Sequence, residues 1–130
     1  MTKQPDWIIH GVCGGEFVNF HTHGLERYGH KDFQMVLPYP HHELCRILNT
    51  FGDQVRDGKR FQDGDCIQGI YEDCEVQIRE FEETGRTVLR VIVPDKNNRF
   101  PEEAGCEYPY TIQTMPTDFL IPVDKNRPVS

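Results

Sequence analysis

Cys74-Glu75-Val76-Gln77-Ile78-Arg79-Glu80-Phe81, then Glu83-Thr84-Gly85-Arg86, then Thr87-Val88-Leu89-Arg90-Val91-Ile92-Val93 decide the fold. The first run alternates, with Cys74, Val76 and Ile78 on one side and Glu75, Gln77 and Arg79 on the other. That is the period of a half-buried strand. The last run is rich in β-branched residues and nearly continuous in apolar character, the strongest strand signal in the chain. Residues 83–86 between them close an antiparallel hairpin.

Upstream of the hairpin, Leu44, Ile47, Leu48, Phe51 and Val55 recur at spacings of three and four, one apolar stripe of a helix that Gly58 stops. Pro40 suits its first turn. Gly52 inside it costs about 1 kcal/mol relative to Ala, which packing against a sheet can offset. Strands are expected at Trp7–Val12, at residues 16–23, at Phe33–Leu37 and, more weakly, at Cys66–Tyr71 and Tyr108–Thr114. The sum is an α+β domain, a mostly antiparallel sheet with one principal helix packed on one face. Residues 1–123 form the single domain, and 124–130 a loose tail.

At 130 residues the chain holds one hydrophobic core. It lacks a run of about 18 apolar residues for a membrane span and the apolar stretch of a secretory leader, so a cytoplasmic location is expected. A net charge of −7 opposes nucleic-acid backbones and anionic lipid as partners. The five cysteines contain no C-x-x-C pair, which fits free thiols better than a zinc ribbon or a disulfide framework.

Candidate chemistry concentrates between Phe17 and Gln34. Three of the six histidines, His21, His23 and His30, lie there, and His41 and His42 follow closely. On a strand, His21 and His23 share a face with Phe17 and Asn19 and stand about 7 Å apart. Two such imidazoles can ligate one zinc or another divalent transition metal. A third ligand is expected from His30, with Glu26 or Asp32 as alternatives, if the connection after Gly24 folds back. The plainer reading leaves His21 and His23 as hydrogen-bonded residues of a polar face. His30 with Asp32 suggests either a proton-transfer pair or a surface ion pair. Cys13, with His10 three residues before it, and Cys106 are the thiols to consider as nucleophiles. A serine triad is excluded, because the sole serine is Ser130.

Several blocks together resemble a bacterial family catalogued as Domain of Unknown Function 4262. They are Trp7–Val12, Thr22-His23-Gly24-Leu25 with Tyr28-Gly29-His30, Ile47-Leu48-Asn49, and Val55–Phe61. Val93-Pro94-Asp95, Arg99-Phe100-Pro101 and Gly105-Cys106 continue the likeness. The resemblance implies a cytosolic bacterial single domain and carries no activity with it. Many members have Tyr-Thr-Ile-Gly-Leu where this chain has His21-Thr22-His23-Gly24-Leu25, whereas His30 fits the family pattern. Asn19-Phe20-His21-Thr22-His23 also resembles the opening of metal-dependent amidohydrolases. Asn19 replaces the required Asp, however, and the chain is too short for their barrel of about 250 residues.

Two functional classes follow. The first is a small binding or interaction module without complete catalytic machinery, able to meet a protein partner, a small ligand or a second copy of itself through strand pairing. Aromatic residues Phe100, Tyr108, Tyr110 and Phe119 support it, since such residues favour interfaces. The second is a metal-dependent enzyme or metal-binding protein built on the His-x-His strand.

Overall fold

The structure is a computed structural model that describes residues 7–14, 17–71, 74–83 and 85–117. Six strands, β1 (Ile8–Gly14), β2 (Phe17–His23), β3 (Phe33–Met35), β4 (Cys66–Tyr71), β5 (Cys74–Glu83) and β6 (Arg86–Ile92), form one sheet in the order β1-β2-β3-β6-β5-β4. Neighbours are antiparallel except β3 and β6, which run parallel. The helix α1 (His41–Arg56) supplies the crossover side of the sheet and is the only α-helix among the described residues. The α+β expectation holds, with one principal helix on one face.

The helix buries Leu44, Ile47, Leu48, Phe51, Gly52 and Val55, the stripe expected from its spacing. Val18 and Phe20 of β2, Phe33 and Met35 of β3, Val76 and Ile78 of β5 and Leu89 and Val91 of β6 meet it in one core. Gly52 has a packing reason. A Cβ there would lie 2.5 Å from two carbons of the Trp7 indole, and that ring is held by a 2.9 Å bond from its Nε1 to Asn49 Oδ1. The absent side chain lets a large aromatic close the core, which offsets the cost in helix propensity.

The opposite face of the sheet is polar and partly covered. Strand pairing puts His10, His21, Gln34 and Arg90 in one row across β1, β2, β3 and β6. A segment expected to end in a strand at Tyr108–Thr114 lies over this face as a 3-10 turn, Tyr110–Thr114. The reason is chemical. Pro109 has no N–H for a ladder, and the side-chain amide of Gln113 takes the place of a neighbouring strand: its Oε1 accepts from Val93 N at 2.8 Å and its Nε2 donates to Val93 O at 2.6 Å. Arg90, 1% exposed, donates to the carbonyls of Gln113 and Met115 and to Gln34 Oε1, and its guanidinium stacks 3.8 Å above the Phe81 ring. Ile112 adds an apolar contact with Val36 and Phe17.

Among the described residues no helix is long and apolar enough to cross a membrane. The expected tail at 124–130 and Phe119 lie outside the described residues. Of the other aromatics, Tyr108 is exposed, Phe100 is half-buried, and Tyr110 packs at the core edge beside Tyr39.

Candidate metal centre

Antiparallel register builds the site. His10 stands directly opposite His21, and Ile8 opposite His23. Residues paired across two strands share a face, and so do residues two apart on one strand. His10, His21 and His23 therefore meet on one side of the β1–β2 ribbon. Their rings are 4.6 to 5.6 Å apart between centroids. One ring nitrogen from each lies within 4.8 Å of the others. A tetrahedral zinc ion with Zn–N bonds of about 2.0–2.1 Å needs its nitrogens roughly 3.3 Å apart. Side-chain rotation of two half-buried rings and one exposed ring covers that difference.

The structure thus joins His21 and His23, as their spacing suggests, with His10 as the third member. The other candidates lie elsewhere. His30 is buried, with Nδ1 2.7 Å from Lys31 O and Nε2 accepting the Phe61 N–H at 3.0 Å. Both its nitrogens are taken by backbone groups, of Lys31 and of Phe61, which ties the loop after the 3-10 turn at Leu25–Tyr28 to the segment after α1. Asp32 is also buried, and accepts from Thr22 Oγ1, from Leu25 N and from Arg86 Nη1 at 2.9, 3.1 and 3.2 Å. His30 and Asp32 have separate partners, so they form neither a proton-transfer pair nor a surface ion pair with each other. Glu26 is exposed and lines a different hollow, together with His30 and Asp32. Gly24, at φ 118°, turns the chain away at the end of β2; that turn carries all three groups off the histidine face.

A pocket of about 310 Å³ adjoins the imidazoles, lined by Asn19, His21, His23, Gln34, Glu83, Arg86 and Thr117. Gln34 Nε2 donates to Asn19 Oδ1 at 3.0 Å and to Glu83 Oε1, and Thr117 Oγ1 donates to Glu83 Oε2 at 2.6 Å. The covering segment, clamped by Arg90, forms one wall through Thr117.

Burial, then the positive charge of Arg86 and the neighbouring imidazoles, hold His21 well below the usual histidine range, at about 4. The ring is neutral at pH 7, as a ligand must be. The metal-free protein should show this as acid sensitivity. The unfolded chain takes up a proton near pH 6.5 and the native protein only near pH 4, so the stability due to His21 is complete above about 6.5 and lost as pH falls through that window. For a half-buried ring the loss is roughly 1–2 kcal/mol after solvent screening. The fall in urea midpoint between pH 7 and pH 4.5 should be smaller in H21Q than in the unmodified protein; an equal fall in the two would remove this assignment.

The thiols offer less. None of the five cysteines is in a disulfide. Cys13 Sγ lies 3.6 Å from His41 Nε2, not beside His10. Burial pushes the Cys106 thiol up, and Asp95 and Glu103 add to the effect, which disfavours a thiolate nucleophile.

The family described as Domain of unknown function (DUF4262) matches residues 2–107. The chain belongs to the DUF4262 family. That match spans the whole sheet, α1 and the loop to Glu107. No curated protein and no solved structure matches the chain. Two polar residues within the matched range have clear structural roles. His30 is a buried brace, and Asp95 organises residues 95–107 by accepting from the backbone N–H groups of Asn97, Arg99 and Glu107. His10, His21 and His23 also lie within the matched range.

Proposed function

We propose that this DUF4262 domain binds one divalent transition-metal ion, zinc by ligand chemistry, through His10, His21 and His23, and acts as a metal-dependent binding module. The observation that carries the reading is the convergence of three imidazoles from two paired strands at the rim of a polar pocket. Three neutral nitrogen donors suit zinc, and leave a fourth position for water or a ligand. Binding is favoured over turnover by the state of the pocket's carboxylate: both oxygens of Glu83 already accept hydrogen bonds, from Gln34 and Thr117.

Elemental analysis of untagged protein, with a melting curve before and after added zinc, tests this. One ion per chain and a raised Tm are expected, since a ligand at a hundred times its Kd stabilises the native state by about 2.7 kcal/mol. Less than about a tenth of an ion per chain, with an unchanged Tm in excess zinc, would exclude the site.

A second reading rests on β1, one of the two edge strands of the sheet, whose Ile8 and Val12 are 56% and 48% exposed. An open edge with apolar residues favours strand addition by a second copy. Native mass measured with and without zinc is expected to reveal a dimer that V12K dissociates. A monomer at every concentration rules this pairing out.

A further inference from the structure

We infer that the pocket beside the imidazoles receives the oxyanion of a small molecule, a carboxylate or a phosphate, held jointly by the metal and by Arg86. This rests on the metal reading above. Arg86 opens β6 at the tip of the hairpin and lines the same pocket as His21 and His23. Its orientation is set from behind. Nη1 donates to Asp32 Oδ2, and Asp32, 5% exposed, is itself fixed by Thr22 and the Leu25 N–H. That is the only side-chain hydrogen bond Arg86 makes among the described residues. A guanidinium has five N–H donors in a rigid fork, so most of this one remains for a ligand. Arginine held in this way matches the two oxygens of a carboxylate or phosphate.

The remaining lining agrees. Asn19 accepts from Gln34 through Oδ1, which leaves its amide NH₂ as a further donor. Glu83 is the one acid lining the pocket besides these groups, and its oxygens are already engaged by Gln34 and Thr117. With a divalent ion on the imidazoles the formal charges of the ion, Arg86, Glu83 and Asp32 leave the pocket positive, within a chain of net charge −7. An anion is thereby drawn to this spot and repelled by the rest of the surface. A volume of about 310 Å³ is at the lower end for small-molecule sites, so the ligand is compact.

The test uses the full chain loaded with cobalt in place of zinc, titrated with acetate and with inorganic phosphate while the visible cobalt absorption is followed. A saturable change is expected. R86K retains a positive charge opposite Asp32 and so keeps the fold; it should weaken the anion's Kd at least tenfold while cobalt stoichiometry stays at that of the unmodified protein. R86Q should lose the response. A change with one anion alone supports the proposal and names the class. Anion binding that R86K leaves intact, or cobalt uptake with no response to either anion, overturns this proposal and spares the metal site. Failure to take up cobalt at all overturns both.

Discussion

Replacing His10 by Ala should weaken zinc binding at least as much as replacing His21 or His23, and replacing His30 should leave it unchanged. Loss of a group that merely orients a metal ligand costs about 10–100-fold in affinity, so loss of a ligand itself should cost roughly a hundredfold or more in each of H10A, H21A and H23A. Competition against a chromogenic chelator measures this directly. H30A separates the two geometries because its cost appears elsewhere. The Phe61 N–H, now bonded to His30 Nε2 at 3.0 Å, loses its acceptor inside the protein, a penalty of about 1–3 kcal/mol in folding. A chelator titration in which H30A loses zinc and H10A keeps it would overturn the assignment of the third ligand.

The reason His10 escapes a reading of the sequence, while His30 attracts one, is instructive. His21 and His23 announce themselves because their spacing of two matches the period of a strand. His10 is 11 residues from His21 in sequence, and only the pairing register makes them neighbours. The register had a signal: Gly14 and Phe17 flank the turn, and pairing them places His10 opposite His21. His30 is close in sequence to the pair, but Gly24 at φ 118° sends the intervening turn to the other side of the strand. Helix α1 and the β5–β6 hairpin were legible because each has a periodic pattern of its own. The covering segment was not. Its contacts with the sheet run through Gln113 and Arg90, two polar side chains that no hydrophobic period reveals. The pocket depends on that segment, so its shape could not be anticipated either.

Arg90→Met is expected to be the most destabilising substitution in the sheet, at about 3–5 kcal/mol. In the central row of the apparently strongest strand, a residue that reads as an outward-facing charge is 1% exposed. Burial draws its pKa down to about 10, so it remains charged at neutral pH, and its desolvation is met by Gln34 Oε1 and the carbonyls of Gln113 and Met115 at 2.6 to 2.8 Å. Methionine fills much of the same volume against Phe81 but provides no donor, so these oxygens stay buried and unpaired. R90K keeps one charge without the fork, and should fall between the two. Guanidinium denaturation gives the stability, and the zinc affinity of R90M gives the second half of the result. His10, His21 and His23 stand on β1 and β2, and the hydrogen bonds of Arg90 reach those strands through Gln34 to Asn19. While folded, R90M should therefore bind zinc nearly as before, yet respond less to anions, because the segment carrying Thr117 has lost its clamp. If R90M is as stable as the unmodified protein, that segment does not depend on the buried guanidinium for its place on the sheet.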